Sequence, residues 1–348
     1  MEQWAPRLRA HGIDVDFASF EDVALHVLLY QRGRRIEKAI QIGRALARRV
    51  SIVGDARRFD AVYLFREAAL VGPAVLERWM GRRLPVVFDF DDAIFERYRS
   101  PTNGYLSALK FPGKTAAICR LSAHVIAGNP YLADYARQFN RWVTIVPTTI
   151  DTDVYTPPPA RPQSVTVVGW SGSHSTVPHL RTLDEALRRL AARRMFRLRV
   201  IGAPEYTLEG ADVDARPWRA DTEIADFTGV DVGIMPLPDD RWSRGKCGLK
   251  ALQYMALGIP AICSPTGVNR EIISHGQNGL LATSTDDWVE ALERLLTSET
   301  LRQRLGAAGR ATVEARYSAA AQIPGICRVF EQAVAQSSSN RTRSGSAA

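Results

Sequence analysis

Residues 244–264 read RGKCGLKALQYMALGIPAICS, which predicts a glycine-bearing loop, a short helix and then an apolar strand. The loop directs backbone N–H groups, and the positive end of the helix dipole, towards whatever lies in front of it, and an anion is the natural occupant. Lys246 and Lys250 are four residues apart, so both side chains can face one ligand, with Gln253 on a neighbouring helix face. We therefore expect a diphosphate cradle here, beyond which an amide or carboxylate can bind the hydroxyls of a sugar or ribose.

The same segment resembles the donor-binding segment of the family-4 glycosyltransferases. The resemblance is carried by residues 246–260, KCGLKALQYMALGIP, and by residues 264–271, SPTGVNRE. It implies the GT-B fold, an α/β architecture in which two Rossmann-like domains with parallel sheets face a cleft, and a retaining reaction. Most members of the family carry two glutamates in this segment, with seven residues between them. Gly245 and Gln253 take those two positions here, which is similar to a bacterial Lys-x-x-Gln-Tyr-Met-Ala branch of the family.

The composition is that of a globular protein, with 46% hydrophobic and 24% charged residues in a chain of 348, and it favours two domains. No apolar run approaches the ~18 residues of a membrane-spanning helix, and the chain does not open with a signal peptide. We therefore expect a cytoplasmic protein. The four cysteines lie far apart in the sequence and predict reduced thiols, with neither a disulfide nor a zinc site. A net charge of +8 favours an acidic partner, which can be a nucleic acid, an anionic membrane or a phosphate-bearing substrate.

The predicted domain organisation is two domains joined by a proline-rich linker. Residues 1–147 are assigned to an N-terminal, acceptor-side Rossmann-like domain, residues 148–163 to the linker and residues 164–317 to the donor-binding domain. By the resemblance, residues 318–335 form a helix that returns to the first domain. Residues 336–348 are small and polar and predict a disordered tail.

The beginning of the chain departs from a complete Rossmann-like domain. Residues 3–10 predict a helix, and residues 13–20 alternate apolar and polar side chains as a strand does. A Rossmann-like domain opens instead with a buried strand that leads into its first helix. We expect that strand to be missing, either because the start codon is misplaced or because the chain is a truncated paralogue.

A strongly basic segment follows, with nine basic and two acidic residues between positions 32 and 58. Ile36, Ile40, Ala47 and Val50 recur at nearly helical spacing, which predicts an amphipathic helix with a positive outer face. Such a helix is either simply solvated or lies at an interface. In the second case it holds the protein against anionic lipid, where a lipid-linked acceptor is found.

Three aspartates follow the apolar run at residues 85–90, which is of strand length. Ligands of open α/β sheets bind at the carboxyl ends of the strands, so Asp89, Asp91 and Asp92 are candidate site residues. Aspartates in such positions also cap turns and helices, and that alternative stays open. Paired aspartates can bind magnesium or manganese, but nothing else in the sequence completes a metal site. By the family resemblance, Asp91 takes the place of a histidine that touches the donor sugar, and it can accept a hydrogen bond from a sugar hydroxyl.

The donor-binding domain opens with a strand, a Gly/Ser turn and a helix predicted over residues 177–193. The turn is not the Gly-x-Gly-x-x-Gly fingerprint, and no acidic ribose ligand ends the next strand, which argues against NAD. Together with the lysine loop, the turn can close on one diphosphate. His174, in the same turn, is either a phosphate ligand or a surface residue. The predicted donor site comprises Gly169, Ser171, Gly172, Ser173, Lys246, Gly248, Leu249, Lys250 and Gln253.

The sequence thus favours a glycosyltransferase that moves a sugar from a nucleotide diphosphate sugar to a hydroxyl acceptor, in the synthesis of cell-surface polysaccharide or glycolipid. Lys246 and Lys250 would stabilise the leaving diphosphate, and they join Asp91 as the candidate catalytic residues. The acceptor is expected to be a sugar or a lipid-linked molecule at the inner face of the plasma membrane, and no cofactor or metal is expected. The alternative is a non-catalytic GT-B scaffold or partner subunit of another transferase. A nucleic-acid partner is not favoured, because no recognised binding module is present.

Overall fold

A computed structural model describes residues 1–31, 33–69, 72–96, 111, 113–158 and 165–345. The chain divides into two compact units. The first domain comprises Met1–Pro147 and Ile323–Ala348, and the second comprises Thr148–Gln322.

The first domain is built on a parallel sheet of four strands, in the order β1-β2-β3-β4. Its elements in chain order are α1 Ala5–Arg9, α2 Val23–Tyr30, α3 Arg35–Gly54, β1 Val62–Phe65, α4 Val75–Gly81, β2 Val86–Phe90, α5 Lys114–Leu121, β3 His124–Ala127, α6 Pro130–Arg137 and β4 Val143–Ile145. The central strands β2 and β3 are buried along their whole length, as expected for apolar strands covered on both faces. Phe88 and Phe90 stack on one face of β2, with 5.2 Å between ring centroids.

The strand predicted over residues 13–20 does not form in the structure. Phe17 is 57% exposed, so alternation in the sequence did not translate into one buried face. A strand needs a neighbouring strand for its backbone hydrogen bonds, and the pattern alone does not provide that neighbour.

The second domain is built on a parallel sheet of six strands, in the order β10-β9-β8-β5-β6-β7. The elements up to β9 are β5 Val167–Ser171, α7 Val177–Arg181, α8 Asp184–Ala191, β6 Arg197–Ile201, β7 Asp212–Arg216, α9 Glu223–Asp226, β8 Val232–Met235, α10 Arg241–Arg244, α11 Leu249–Ala256 and β9 Ala261–Cys263. They are followed by α12 Asn269–Ile272, β10 Leu280–Leu281, α13 Thr285–Thr297, α14 Glu299–Thr312 and a π-helical turn Val313–Tyr317.

Each face of the second sheet carries its own hydrophobic core. Val168 and Trp170 of β5 pack into one cluster, whereas their neighbour Val167 packs into the other. The helix α11 contributes Leu252 and Met255 to the second cluster. The alternation of side chains along the strands therefore fixes α11, and the loop that precedes it, against one face of the sheet.

The helix predicted over residues 177–193 is broken into α7 and α8. The break lies at Thr182, whose hydroxyl donates to the carbonyl of His179 at 2.6 Å, and at Leu183. Leu180 and Leu183 are both buried and pack into the same hydrophobic cluster.

The last helix, α15, spans Ala319–Gly345, so the disordered tail predicted from residue 336 is wrong as far as Gly345. Ile323, Ile326 and Val329 are buried and supply the nucleus of the helix, after which each added residue gains a hydrogen bond at little cost. Residues 346–348 lie outside the described part of the chain. Within the described part, every helix is too short or too polar to span a bilayer.

Candidate functional site

Gly248 sets the geometry of the lysine loop. It lies at φ +71° immediately before α11, and a Cβ atom at this position would come within 2.3 Å of Ile272 Cδ1. Only glycine combines this left-handed conformation with the contact. In the described structure no side chain caps the start of α11, so the N–H groups of its first turn, from Leu249 onwards, are available to an anion.

Lys250 lies in that first turn and is half-buried. Burial lowers the pKa of its ammonium group to about 8, and Lys246 lowers it further while Glu223 acts in the opposite direction. The two lysines therefore act on the same region of the site. A cation held in this way gains from a bound anion, which restores part of the solvation that it has lost.

Lys246 is placed by the loop that leads into α11. Its ammonium nitrogen lies 5.8 Å from the centre of the Trp242 ring, a cation–π distance, and its N–H donates to the carbonyl of Ser243 at 3.1 Å. His179 of α7 lies close enough to feel this charge. Burial lowers the pKa of His179, Lys246 lowers it further, and Asp240 partly compensates. His179 is therefore a neutral neighbour of the lysine pair near pH 7.

Gln253 is buried and belongs to a network that the sequence did not reveal. Its Nε2 donates to the hydroxyl of Tyr155 at 2.9 Å, and that hydroxyl donates to Glu223 Oε2 at 2.5 Å. The indole of Trp218 donates to the other oxygen of Glu223 at 3.0 Å. The carboxylate of Glu223 thus lies close to the side-chain amide of Gln253, which the sequence predicted without this neighbour. Glu223 comes from α9, thirty residues before Gln253, and no local motif links the two.

The Gly/Ser turn after β5 is joined to the same helix. The N–H of Ser171 donates to the hydroxyl of Tyr254 at 3.1 Å, so α11 positions the turn through Tyr254. Gly172 is required there, because a Cβ would lie 2.0 Å from the Trp170 ring. Its N–H donates to the carbonyl of Ile201 at 2.9 Å.

Two residues of the predicted turn, Gly169 and Ser173, make contacts within the domain. A Cβ on Gly169 would lie 2.6 Å from Val230 Cγ1, so this glycine allows close packing of the strand. The N–H of Ser173 donates to Thr176 Oγ1 at 2.9 Å and is therefore already satisfied. His174 is exposed and lies 3.9 Å from Glu205. Of the turn, Ser171 and Gly172 are held closest to α11.

Asp91 belongs to the first domain, whereas the predicted donor residues belong to the second. It is paired with Arg66, whose guanidinium lies 2.7 Å from Asp91 and 2.8 Å from Asp92. Arg66 follows β1 at φ +60°, and its N–H donates to the carbonyl of Asp89 at 2.7 Å. The neighbouring strands β1 and β2 bring these residues together, so sequence spacing alone did not find Arg66.

Asp89 has an interior position instead of facing a ligand. It is 6% exposed and accepts a hydrogen bond from the Tyr63 hydroxyl. Burial raises the pKa of Asp89 to about 7, although the bond from Tyr63 favours the ionised form. Among the residues that the structure describes, no group of three or more histidine, cysteine, aspartate or glutamate side chains is arranged to hold a metal ion.

Comparison with known proteins agrees with this architecture. Residues 165–298 match the family model described as glycosyl transferases group 1. The matched range contains every residue of the predicted donor site. Over 219 residues the chain is 29% identical to the D-inositol 3-phosphate glycosyltransferase of Stackebrandtia nassauensis, a match that covers 54% of this chain and 48% of that protein. The matched region thus spans about half the length of that relative.

Solved structures resemble a larger part of the chain. HepE of Anabaena in complex with UDP and glucose superposes with a TM-score of 0.64 at 15% identity, over 94% of this chain and 88% of HepE. Sucrose-phosphate synthase of Thermosynechococcus elongatus gives 0.62 at 15% identity, over 84% and 79% of the two chains. A glycosyltransferase of Rickettsia africae gives 0.61 at 12% identity, over 94% and 87%. Together with the two parallel α/β domains, these likenesses show the GT-B fold.

Proposed function

We propose that the chain is a nucleotide-sugar-dependent glycosyltransferase. The observation that supports this most directly is the pair of lysines at the uncapped start of α11, in a domain that matches the glycosyl transferases group 1 model. Breaking a glycosidic bond to a nucleoside diphosphate leaves growing negative charge on the diphosphate. Fixed cations and N–H donors at that point lower the barrier.

Each donor-site residue has a role in this proposal. Lys246 and Lys250 bind the diphosphate as cations, and the first-turn N–H groups, including that of Leu249, donate to its oxygens. Gly248 allows the close approach of the backbone. The buried Gln253 and the half-buried Glu223, held together by Tyr155, provide polar atoms for ribose or sugar hydroxyls. Ser171 and Gly172 close the opposite side of the diphosphate.

The finer assignments rest on resemblance. We infer a member of family 4 in the Lys-x-x-Gln-Tyr-Met-Ala branch, which implies retention of configuration and attack by the acceptor hydroxyl on the leaving-group side. UDP is the first nucleotide to test, because HepE was solved with UDP and with UDP-glucose. For the acceptor we propose a sugar or lipid-linked hydroxyl in the synthesis of polysaccharide or glycolipid.

For Asp91 we propose a role in positioning a sugar hydroxyl. Its carboxylate is paired with Arg66, which fixes its orientation. An ionised carboxylate has room for more than one donor, so the ion pair leaves acceptor capacity for a hydroxyl. Arg66 and Asp92 then act as positioning residues for Asp91.

We also propose that α2 and α3 form a peripheral membrane contact. The sequence placed Ile36, Ile40 and Val50 on the apolar side of an amphipathic helix, and in the structure these residues are 78%, 51% and 47% exposed. The buried positions of α3 are instead Lys38, Ile42, Ala45 and Val53. Val23 and Val27 of α2 are 82% and 53% exposed as well. Apolar side chains exposed beside arginines suit the interface of an anionic bilayer.

The membrane contact can be tested by vesicle sedimentation. Ile36→Asp with Ile40→Asp should abolish binding to vesicles that contain phosphatidylglycerol, because it removes the apolar insertion and two units of net positive charge. Arg188→Glu on α8, exposed and in the other domain, changes the charge by the same amount and should leave binding intact. Equal loss in both variants would indicate general charge attraction and overturn the contact.

The donor site can be tested by a thermal-shift titration with UDP, GDP and ADP. A nucleotide at ~100 times its Kd should stabilise the second domain by about 2.7 kcal/mol, a shift of a few degrees. Lys246→Ala with Lys250→Ala should remove the shift. Arg188→Ala with Arg189→Ala, which removes the same charge from an exposed and a half-buried position on α8, should keep it. Absence of a shift in well-folded wild-type protein with all three nucleotides would refute the donor site.

A non-catalytic scaffold is the second candidate, favoured by Gly245 and Gln253 at the positions of the two family glutamates. It is separated from the enzyme by incubating the protein with the nucleotide sugar that binds. Slow release of free sugar would support a transferase, and binding without release or transfer would support a scaffold.

A further inference from the structure

A cavity opens in the first domain at the edge formed by the amino ends of the strands. The order β1-β2-β3-β4 places the turns that precede β2, β3 and β4 side by side. The turns carry Arg83, Ser122 and Arg141 close to the starts of these strands. The carboxyl ends of the same strands, where Asp91 follows β2, lie at the opposite edge. The cavity is thus separate from the candidate site described above.

The cavity has a volume of about 630 Å³, within the range of small-molecule sites. We call it the amino-edge cavity. It is lined by Gly81, Arg82, Arg83, Leu84, Pro85, Val86, Arg120, Leu121, Ser122, Ala123, Phe139, Asn140, Arg141, Trp142, Gln336 and Ser337.

The charge of the lining is entirely of one sign. Four arginines contribute, and none of the described residues that line the cavity is acidic. Three of the guanidinium groups lie over aromatic rings: Arg83 over Trp79 at 4.3 Å, Arg120 over Phe139 at 4.5 Å and Arg141 over Trp142 at 5.3 Å. An aromatic ring orients a guanidinium group and leaves its charge in place. A carboxylate would orient the group and also neutralise its charge. Arg120 and Arg141 are therefore oriented by the rings and keep their positive charge.

The walls of the cavity are fixed by hydrogen bonds between side chains and the backbone. Asn140 Nδ2 donates to the carbonyls of Cys119 and Ser122, both at 2.8 Å, and its Oδ1 accepts from the N–H of Trp142 at 2.8 Å. One side chain thus ties the turn before β3 to the turn before β4. Ser122 Oγ donates to the carbonyl of Ile118 at 2.7 Å and closes the end of α5. Arg120 and Arg141 flank this tie in the sequence, so the backbone that carries them is held in place.

We infer that the amino-edge cavity binds a molecule that carries two or more phosphate groups. Planar guanidinium groups match phosphate oxygens in pairs, and the three of Arg82, Arg120 and Arg141 around one cavity exceed the charge of a single phosphate. Their mutual repulsion in the free protein is relieved when a polyanion binds. The exposed face of Trp142, 39% accessible, offers a surface for an apolar or ring-shaped part of the ligand.

The probe for this site is inorganic pyrophosphate, titrated by isothermal calorimetry into the full chain. The titration uses the Lys246→Ala, Lys250→Ala background, so that the candidate donor site does not contribute. We expect one binding event, and Arg120→Ala with Arg141→Ala should weaken it by about tenfold or more, as expected for loss of two charged hydrogen-bond donors. Arg120→Lys with Arg141→Lys should give a smaller loss, because the charge remains and the paired geometry does not.

The matched control is Arg44→Ala with Arg78→Ala, which removes the same charge from exposed positions of α3 and α4 in the same domain. It should leave pyrophosphate binding unchanged. Equal weakening by the control, or unchanged binding in the cavity variant, would overturn the site, as would a lack of heat in the lysine-less background at millimolar pyrophosphate. A thermal melt of each variant verifies that it is folded.

A second arm identifies the source of the phosphate. Vesicles of phosphatidylcholine and cardiolipin at 7:3 are added as competitors for pyrophosphate, because each cardiolipin headgroup carries two phosphate groups. Competition that persists when Ile36→Asp and Ile40→Asp remove the proposed membrane contact assigns the cavity to a lipid headgroup, and absence of competition assigns it to a soluble phosphate-bearing ligand.

Discussion

The pKa of Lys250 predicts how donor binding depends on pH. Burial and Lys246 lower this pKa to about 8, so the ammonium group of the free protein is about nine-tenths charged at pH 7 and about one-tenth charged at pH 9. A bound diphosphate stabilises the charged form. If it holds the pKa in the complex above 9, the Kd for UDP rises by about tenfold between pH 7 and pH 9.

Other groups near Lys250 do not mimic this change. The pKa of His179 is lowered by burial and by Lys246, so this side chain stays neutral across the interval. Burial and the hydrogen bond with Glu223 raise the pKa of Tyr155 well above its ordinary value, so its hydroxyl stays protonated. The phosphates of UDP, with a second pKa of about 6, are ionised throughout.

The assay is isothermal calorimetry of UDP binding at pH 7, 8 and 9 and constant ionic strength, for wild type and two variants. Lys250→Met keeps an unbranched side chain of similar length and removes the charge, so it should bind weakly at all three values with no pH slope. Lys250→Arg stays charged and should bind equally at pH 7 and pH 9. A wild-type Kd that is flat from pH 7 to 9, or a slope that persists in Lys250→Met, would refute the role of Lys250.

Three further predictions concern stability and are measured by urea denaturation. Gly248→Ala should cost more than Gly276→Ala: both lie at positive φ, with a strain of about 1–2 kcal/mol, but only at Gly248 does the new Cβ also meet a side chain. Arg310→Ala should destabilise the second domain by about 2–4 kcal/mol, because Arg310 donates to three backbone carbonyls, whereas Arg304→Ala on the same helix, exposed and with one such bond, should cost below about 1 kcal/mol. Asp89→Asn should have little effect on the first domain at pH 3 and should stabilise it increasingly from pH 4 to pH 7: the folded pKa near 7 lies above the unfolded value, so in this interval the native carboxyl keeps a proton that the unfolded chain has lost, at a cost of about 1.4 kcal/mol per pH unit. Equal costs for the two glycines, equal costs for the two arginines, or a pH-independent effect of Asp89→Asn would contradict the respective argument.

The interior of each sheet was predictable because its information is local. An apolar run such as that of β2 is buried on both faces wherever it is placed, and the glycine before α11 marks a helix start that few other residues can form. The lysine loop could therefore be predicted from the sequence, whereas the GT-B fold was implied by the resemblance of this segment to the family-4 glycosyltransferases. The two ends of the chain were less predictable. Residues 13–20 alternate like a strand but have no neighbouring strand, and α15 continues past its buried part to Gly345.

The sequence by itself determined the buried central strands and the loop that presents Lys246 and Lys250, because hydrophobic period and glycine position act over a few residues. Only the tertiary structure decided which groups surround those residues. Glu223 reaches Gln253 through Tyr155, and Arg66 reaches Asp91 from the neighbouring strand. The tertiary structure also leaves Ile36 and Ile40 exposed, because the face of α3 that carries Ile42 and Ala45 packs against α2. Such choices depend on which surfaces meet when the chain is compact, and spacing along the chain does not contain them.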